Sequence, residues 1–309
     1  MSAFDPQNLG KRKSAGAASK GEPTAAVLLT LFVPGLGHLY LGRVGLGLLA
    51  FALIEGVYLA GYFLSEGLAF SFLDPELRGR MAVALSPEVG NLGGLVWHFS
   101  TAGFGPTEPV PWPPWIRLGY LLTSLSGLLN ACLMVHVHLL ARRDPALEAR
   151  GGLGRPAFQV FLAWLFPGLG HWAQGRKLRG AIVAGLLVGL FVLGCVLCEW
   201  TNLSRERHFY YWAGQFLLGL PAMGAELLGF DRPVADAIPY VDAGLLFGCV
   251  AGLLNVLAML DVYAQAEADL LEAPAASQEP STQSPEQQSP AEPPVAVGEP
   301  APAEEGATS

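Results

Sequence analysis

Four long apolar runs constrain this chain more than any other feature of its sequence. They cover residues 44–64, 116–140, 180–198 and 243–263, so each has between 19 and 25 residues. At about 1.5 Å of rise per residue, a helix of that length crosses the roughly 30 Å hydrocarbon core of a bilayer. Only 14% of the residues are charged, whereas an average soluble domain has about 25%. The sequence therefore predicts an all-α, polytopic membrane helix bundle and excludes an ordinary soluble globule.

A turn motif occurs twice in the chain. The segment Pro-Gly-Leu-Gly-His at 34–38 recurs at 167–171, and the Gly-Arg pair that follows it recurs at the same offset of 133. A second block, Gly-Leu-Leu-Asn at 127–130, recurs at 252–255 with an offset of 125. Two blocks repeated in the same order indicate two tandem homologous halves. The motif residues are Pro34, Gly35, Gly37, His38, Gly42 and Arg43 in the first copy and Pro167, Gly168, Gly170, His171, Gly175 and Arg176 in the second.

The duplication predicts the organisation of the whole chain. Basic residues and low hydrophobicity mark the N-terminal end, and Pro, Glu, Ala, Gln and Ser dominate the C-terminal end, so we expect both ends to be disordered. The predicted segments are a basic N-terminal tail at 1–21, membrane repeat 1 at 22–148, a cytoplasmic linker at 149–154, membrane repeat 2 at 155–272 and an acidic Pro/Glu-rich tail at 273–309.

Each half opens with a ten-residue apolar stretch, at 24–33 and at 157–166, that lies between two prolines. We expect the first proline, Pro23 or Pro156, to start a helix and the second to end or kink it. Ten helical residues cover about 15 Å, which is half of the hydrocarbon core. If both short helices are hairpins that leave on the side they entered, the Lys and Arg residues divide 12 to 6 between the two sides, and a model with six spans divides them 10 to 8. Cytoplasmic loops favour Lys and Arg. We therefore expect four long spans, two short Pro-Gly-terminated helices and both termini in the cytoplasm.

Small residues spaced by four recur in the last long run of each half. They lie on one helix face, where another backbone can approach closely. An asparagine follows three residues later on the same face, and an amide inside a membrane needs a hydrogen-bond partner. We interpret both faces as helix-packing surfaces, with homo-oligomerisation through them as an alternative. The residues are Gly119, Thr123, Gly127 and Asn130 in the first half and Gly244, Gly248, Gly252 and Asn255 in the second.

Glu55 lies near the middle of the first long run. A charged side chain at the bilayer centre is costly, so acids at this depth are usually paired, protonated or functional. We expect Glu55 to face the interior of the bundle, with His136 and His138 as candidate partners. The residue at the same position of the second half is Val188, so the duplication itself does not require an acid here.

The sequence contains no recognisable catalytic or metal-binding set. Nucleophile elbows, phosphate-binding loops and zinc spacings are absent, and the four cysteines lie inside apolar runs, where they resemble small buried hydrophobic residues. We expect no cofactor, no metal and no enzymatic activity. The segments 65–115 and 199–240 are rich in Trp, Tyr and Pro, and we interpret them as wet loops with an aromatic belt.

The repeated turn resembles that of a known group of proteins. Pro-Gly-Leu-Gly-His-Leu-Tyr-Leu-Gly-Arg at 34–43, with Gly47, is similar to a Pro-Gly-x-Gly-His-x-x-x-Gly-Arg-x-x-x-Gly turn in a family of bacterial integral membrane proteins of unknown function. It is also similar, more distantly, to the loop of the two-transmembrane-helix domain family. The second copy departs from the latter, because Ala173 and Gln174 replace Tyr40 and Leu41. The resemblance implies a bacterial inner-membrane protein and assigns no activity.

Two hypotheses for the function follow. The first is a non-enzymatic scaffold or assembly component of the cell (inner) membrane, with the acidic tail as a docking arm. The alternative is a small transporter or channel-like protein with a path between the halves, and for it we expect a polar, water-accessible cavity near the midplane. The expected partners are the lipid bilayer and either a second copy or another membrane protein, and we expect no nucleic acid.

Overall fold

The computed structural model describes residues 21–72, 79–106, 108, 110–142, 154–228 and 237–276, with the backbone alone at 79–81 and 270–276. Within these ranges every regular element is a helix. The predictions of disorder for the two tails, apart from the residues at their inner edges, lie outside the described residues, as does most of the predicted linker.

The described part of the chain contains twelve α-helices and a 3-10 turn. In the first half they are α1 (Pro23–Phe32), α2 (Leu36–Tyr40), α3 (Val44–Leu64), α4 (Gly79–Ala84), the 3-10 turn Pro87–Gly90, α5 (Leu92–Thr101) and α6 (Ile116–Ala141). In the second half they are α7 (Gly154–Leu165), α8 (Leu169–Ala173), α9 (Lys177–Leu197), α10 (Phe209–Phe216), α11 (Leu220–Leu228) and α12 (Val241–Ala276).

Helices α3, α6, α9 and α12 are long and apolar enough to cross a membrane. α3 packs along α6, and α9 packs along α12. Their outward faces carry large apolar side chains, such as Phe63 and Leu186, which are 69% and 68% exposed. Continuous apolar faces of this kind are stable against lipid and unfavourable in water. The predicted fold class, an all-α polytopic helix bundle, is therefore confirmed.

Each half begins with a hairpin that enters and leaves at the same end of the bundle. α1 starts beside the C-terminal end of α6, where Ala26 and Leu41 pack with Val137 and Ala141. α1 ends near the middle of α6, and α2 returns to the starting end. The pair α7–α8 follows the same course beside α12. We call these pairs the motif hairpins and this end of the bundle the motif side.

Glycines of the repeated motif make the reversal possible. Gly35 and Gly168 have left-handed backbones, with φ of 82° and 88°, a region that glycine enters without a steric penalty. A Cβ atom at either position would lie 2.1 Å from the carbonyl oxygen of the glycine in the next long helix, Gly47 or Gly180. Both hairpin turns therefore pack backbone against backbone, and the two halves do so in the same way.

The starts of the two motif hairpins differ. Pro23 is the first residue of α1, as predicted, and Glu22 caps it by accepting hydrogen bonds from the amides of Ala25 at 2.6 Å and Thr24 at 3.2 Å. These bonds stabilise the charged carboxylate and lower the pKa of Glu22. In the second half α7 begins at Gly154, so the prediction that a proline starts this helix is wrong. The two extra residues are tolerated because Pro156 still lies in the first turn, where its missing amide costs nothing.

The prediction of wet loops is wrong for much of the opposite end of the bundle. In the first half, the 3-10 turn and α5 penetrate between α3 and α6, and Glu88, Asn91 and His98 are completely buried. In the second half, α10 packs against α12, and α11 follows it and contacts α6 of the first half. Buried backbone of this kind is tolerated at membrane depth where protein surrounds it. We call these segments, 79–101 and 209–228, the loop hairpins and this end the loop side.

The two kinds of hairpin meet at an asparagine in each half. The Asn130 amide nitrogen donates to the carbonyl oxygens of Thr30 at 2.7 Å and Gly90 at 2.8 Å. Asn255 donates to Ala163 at 3.2 Å and Leu217 at 3.0 Å. Asn130 lies about 21 Å along α6 from its loop-side end, at 1.5 Å per residue. Hairpins from opposite sides therefore meet at mid-height, and one amide group joins them.

Small residues of α6 and α12 allow the other elements to approach closely. A Cβ at Gly119 would lie 2.9 Å from the Gly61 carbonyl oxygen, and one at Gly127 would lie 2.1 Å from that of Pro87. In the second half, Gly244 faces Gly194 and Gly252 faces Gly214, at 2.6 and 1.9 Å. Thr123 packs against Gly61, and Gly248 packs against both Gly194 and Gln215. All these residues lie at contacts within one half, between a long helix and its neighbours.

α12 extends beyond the run that predicted it. The apolar pattern ends at Tyr263, whereas the helix continues to Ala276 and passes the predicted start of the tail at 273 by four residues. Residues 264–276 are rich in Ala, Glu and Leu, which have high helix propensity. The length of the apolar run therefore located the membrane-crossing part of this helix and missed its polar extension.

Candidate functional site

A cluster of buried polar side chains lies in the first half, on the loop side of Asn130. It combines residues of α3, the loop hairpin and α6 with one residue of the second half. Nearly all of its members are buried, and such groups require hydrogen-bond partners. The polar cluster consists of Glu55, Tyr58, Ser86, Glu88, Asn91, His98, Thr123, Ser124 and Arg205.

An ion pair between the halves lies at the centre of the polar cluster. Arg205 Nη2 is 2.9 Å from Glu88 Oε1, and both side chains have no exposed surface. The same oxygen accepts hydrogen bonds from the hydroxyls of Thr123 at 2.9 Å and Ser124 at 2.8 Å. Arg205 Nη1 also donates to Ser124 Oγ at 3.1 Å. Breaking such a pair from one side leaves a buried charge that is strongly destabilising.

Aromatic rings surround the Arg205 guanidinium. Its central carbon lies 4.7 to 5.7 Å from five ring centroids, a distance at which the ring faces attract a cation. The rings come from both halves: Phe70, Phe72, Tyr120, Phe209 and Trp212. The arrangement fixes the position of the cation and seals it from solvent.

A second buried acid, Glu226, lies beside this aromatic cage. Its carboxylate accepts hydrogen bonds from the Tyr120 hydroxyl and from Trp212 Nε1, the latter at 2.8 Å. Tyr120 belongs to the first half and Glu226 to the second, so this contact also joins the halves. The interface therefore contains two buried acids and one buried cation, held by specific donors from both halves.

Several polar atoms of the cluster have no hydrogen-bond partner in the protein. They include Tyr58 Oη, Ser86 Oγ, Glu88 Oε2 and Asn91 Nδ2. The side chain of Asn91 faces Glu55, and a His98 ring nitrogen faces the Gly67 backbone, but neither closes a well-aligned hydrogen bond. Buried polar atoms without partners are rare in native proteins. Their concentration here distinguishes this region from an ordinary core.

At the position of the polar cluster, the second half has the same backbone arrangement but different side chains. Val188 stands for Glu55 and Phe191 for Tyr58, at the offset of 133. The loop hairpins align at an offset of 127, because Gly90 and Leu217 bind equivalent asparagines. At that offset Leu218 stands for Asn91, and the apolar cluster of the second half includes both Phe191 and Leu218. The neutral Gln215 stands for Glu88, and its amide oxygen accepts a hydrogen bond from Asn202.

Glu55 is half-buried, and its surroundings differ from the predicted ones. The candidate partners His136 and His138 are engaged elsewhere: His136 lies 2.8 Å from His38, and His138 lies 3.4 Å from Arg142. Both histidines belong to the motif side, because they lie in the last two turns of α6. The side chain that faces Glu55 is Asn91, from the loop hairpin. The predicted pairing of Glu55 with His136 or His138 was wrong, because the position of Glu55 in the sequence does not reveal that the loop hairpin enters the bundle beside it.

The motif histidines make equivalent contacts in the two halves. His38 Nε2 lies 2.8 Å from His136, and His171 Nε2 lies 3.0 Å from Asp261, which occupies the corresponding position of α12. Asp261 is also paired with Arg176 at 3.0 Å and Arg179 at 2.8 Å. Grooves of about 440 and 280 Å³ lie beside these sites. Gly42 and Gly175 turn the chain into the next long helix with φ near 80°.

The chemistry available in the polar cluster is the exchange of hydrogen bonds and protons. It provides carboxylates, hydroxyls, an imidazole and an amide. Across the described ranges, no group of three or more His, Cys, Asp or Glu side chains is placed to hold a metal ion. The four cysteines are all reduced, and three of them are buried.

Most of the polar cluster was missed by sequence reasoning. Glu88, Asn91, His98 and Arg205 lie in segments that were interpreted as wet loops. One signal was present: the run Leu-Gly-Gly-Leu-Val-Trp at 92–97 is apolar and glycine-rich, as expected for a helix that packs inside a bundle. The pairing of Glu88 with Arg205, 117 residues apart, had no signal in the single sequence.

The fold and the repeated sites define a polytopic α-helical membrane protein built from two tandem homologous halves. Sequence comparison agrees with this description. The profile of a family of unknown function (DUF6677) matches the chain twice, at residues 25–145 and at 158–273. The chain therefore belongs to this family, and each half carries one copy of the matching region. No curated protein and no solved structure matches the chain.

Proposed function

We propose that this protein is a non-enzymatic scaffold or assembly component of a bacterial inner membrane. The observation that carries the proposal is the buried ion pair between Glu88 and Arg205, which joins the two halves. Separating the halves would expose a cation and an acid to an apolar environment, at a cost of several kcal/mol. In transporters with a path between two repeats, one repeat rocks or gates against the other during the cycle. A rigid connection is more consistent with an assembly role.

Close packing at mid-height also supports the proposal. A Cβ at Gly93 would lie 2.3 Å from the Phe32 carbonyl oxygen, and one at Gly219 would lie 1.9 Å from that of Trp164. The tips of the opposed hairpins therefore leave no space for a solute at these contacts. Small residues that bring backbones together are typical of stable helix association in membranes.

The proposed orientation places both termini in the cytoplasm. The motif hairpins return to the side where they start, which is the arrangement that divides the Lys and Arg residues 12 to 6 in favour of the motif side. The acidic tail would then extend into the cytoplasm and act as the docking arm. The proposed partners are the bilayer and either a second copy or another membrane protein, without a nucleic acid.

Reconstitution tests this proposal directly. The purified protein is inserted into liposomes that contain a pH-sensitive dye, and proton and potassium fluxes are compared with those of protein-free liposomes. We expect no flux above the background. In parallel, crosslinking in native membranes compares the full chain with a variant truncated after residue 272. A scaffold that docks through its tail loses its crosslinked partner on truncation, and a partner pattern that does not change contradicts the docking arm.

Transport is the second candidate, and the opposed hairpins favour it. Broken helices that meet near the midplane are common in transporters, where they surround the substrate. Glu55 lies at that depth, beside Asn91 of the loop hairpin. A flux in the liposome assay that disappears in Glu55→Gln would establish transport and overturn the scaffold proposal.

A further inference from the structure

We propose that the polar cluster of the first half holds a chain of bound water molecules that connects Glu55 to the loop side of the membrane and not to the motif side. Glu55 would then exchange protons with one side only. The inference concerns hydration of this site and goes beyond the scaffold proposal, because a hydrated cluster does not require transport. It rests on unpartnered polar atoms, on the contrast between the halves and on the seal beneath the cluster.

The unpartnered atoms point to occupants that the protein does not supply. Tyr58 Oη, Glu88 Oε2 and Asn91 Nδ2 belong to side chains with no exposed surface, and Ser86 Oγ belongs to one with 3% exposed. A buried polar atom that is left without a hydrogen bond lowers the stability of the folded protein. Folded proteins usually satisfy such atoms with ordered water, and each buried water makes two to four hydrogen bonds. Four unpartnered atoms in one cluster therefore predict several waters.

The atoms lie close enough together to share these waters. A Cβ on Gly94 would lie 2.9 Å from Asn91 Nδ2 and 3.1 Å from the Tyr58 ring, so the two side chains flank the same glycine. The Tyr58 and His98 rings meet edge to face at 6.4 Å between centroids. Tyr58 also lies within electrostatic range of Glu55, Glu88 and Arg205. Because the side chains are fully buried, molecules of the size of water fit this description better than larger ligands.

The second half shows that the fold does not require a polar cluster at this place. Its backbone makes the same hairpin contacts, yet Phe191 and Leu218 fill the equivalent positions and pack into an apolar cluster. Val188, in place of Glu55, is half-buried to a similar degree. The duplicate buries the neutral pair Gln215 and Asn202 near this place but has Val188 where the first half has Glu55, so the acid and its polar neighbours indicate a specific use.

The arrangement beneath the cluster restricts its connection to one side. Toward the motif side, the Asn130 amide holds the tips of both hairpins together. Below it, Ala26, Leu41, Val137 and Ala141 form an apolar cluster in which all four are buried. The buried His38 lies beside this cluster with its Nδ1 unpartnered, and its other ring nitrogen contacts His136 at 2.8 Å. Water does not occupy small apolar spaces of this kind. On the loop side, the cluster instead reaches Tyr62 and Thr101, whose hydroxyls are 3.5 Å apart and partly exposed.

Cysteine accessibility tests the proposal, because silver ions are small and react with thiols only where water reaches them. In a background without the four native cysteines, Glu55→Cys is compared with the matched control Val188→Cys. Vesicles are sorted by access to a C-terminal tag, which marks the motif side. Silver nitrate is added in chloride-free buffer, and the protein is then solubilised and labelled with a fluorescent maleimide.

We expect silver added from the loop side to prevent later labelling at position 55, silver from the motif side to leave it unchanged, and position 188 to be labelled after either treatment. Protection at position 55 from the motif side overturns the proposal. So does equal behaviour of positions 55 and 188, or no protection at position 55 from either side.

A second matched pair keeps the test informative if Glu55→Cys fails to fold. Asn91→Cys replaces an amide of the polar cluster, and Leu218→Cys replaces its apolar counterpart. Folding is checked by gel filtration before labelling. The proposal requires protection at position 91 from the loop side and none at position 218, and the reverse or an equal result contradicts it.

Discussion

The two halves of this molecule share a backbone design and differ in what they enclose. In both, a motif hairpin and a loop hairpin meet at an asparagine, and a glycine of the first long helix packs on a glycine of the last. On the loop side of that asparagine, the first half encloses Glu88, Asn91 and His98, whereas the second encloses an apolar cluster around Phe191. Features common to both halves therefore maintain the fold, and features of one half only are candidates for function.

The ion pairing between the halves is also asymmetric. Arg205 belongs to the second half and ion-pairs with Glu88 of the first, whereas the residue equivalent to Glu88 in the second half, Gln215, is satisfied by Asn202 of its own half. The second half thus supplies the charge that the first half needs. The first half alone therefore does not neutralise its own polar cluster.

The largest effect is expected from removing the buried cation. Arg205→Met leaves the Glu88 carboxylate without its partner in a fully buried site, and we expect a loss of about 3–5 kcal/mol in the free energy of unfolding. The measurement is thermal unfolding in detergent. The exposed Arg207→Met serves as control and should change stability by no more than about 0.5 kcal/mol.

The double variant Glu88→Gln with Arg205→Met sharpens this comparison, because it gives the first half the neutral residue of the second. It should recover much of the stability lost in Arg205→Met. If the single variant Arg205→Met is as stable as Arg207→Met, the ion pair is not desolvated and our interpretation of the interface is wrong.

The next largest effect concerns the glycine contacts that both halves share. A Cβ at Gly61 would lie 2.5 Å from the Gly119 carbonyl oxygen, and one at Gly194 would lie 2.7 Å from that of Gly244. Gly61→Ala and Gly194→Ala should therefore each lower the free energy of unfolding by about 1–3 kcal/mol, since neither backbone can move away freely. Similar losses in both halves would show that these contacts belong to the common frame.

Matched controls for these variants exist five residues earlier on the same helices. Gly56 and Gly189 are equivalent to each other, and a Cβ at either would meet nothing within 4 Å. Alanine at these positions should leave stability unchanged or raise it by up to about 1 kcal/mol, because alanine has the higher helix propensity. A loss at Gly189 equal to that at Gly194 would contradict the packing argument.

A smaller effect is expected from the two asparagines. Asn130→Ala and Asn255→Ala each remove two hydrogen bonds between an amide and buried carbonyl groups. We expect losses of about 1–2 kcal/mol, near the upper end for interhelical hydrogen bonds in membranes. Hydrogen exchange of the hairpin amides should rise in the altered half alone. Faster exchange in both halves would mean that the halves unfold as one unit.

The smallest effect is expected at the partly exposed motif site. Asp261→His gives the second half the residue that the first half has at the equivalent position, and it removes the ion pairs with Arg176 and Arg179. Asp261 is 32% exposed and Arg179 is 54% exposed, so we expect a loss below about 1 kcal/mol, decreasing further at high salt. A loss of unfolding free energy as large as that of Arg205→Met would show that the ion pairs of Asp261 are shielded from water, which contradicts this prediction.

The frame of this protein was largely predictable from its sequence. Run length determines which helices can cross a bilayer, so the four long helices followed from the apolar runs. The repeat of Pro34 and Gly35 at 167 and 168 identified the two motif turns, because only a few residue types allow a sharp reversal. These features depend on local sequence and on the thickness of the membrane, both of which a single chain reveals.

The candidate site was much less predictable. Glu55 was recognised because an acid within an apolar run is conspicuous, but its neighbour Asn91 comes from a segment that contains polar residues and prolines. Whether such a segment remains in water or enters the bundle depends on partners distant in sequence, here Arg205 for Glu88. Long-range pairing of charges leaves no periodic pattern in one sequence, so the polar cluster became evident only from the fold.

The asparagine contacts have a mechanical consequence. One nitrogen atom of Asn130 binds carbonyl oxygens of Thr30 and Gly90, which belong to segments anchored at opposite faces of the membrane. A ligand or protein that pulls on either segment must drag the other along or break one of these bonds. Force applied at one surface is thereby transmitted to the far surface through a single amide, and each half contains its own such connection.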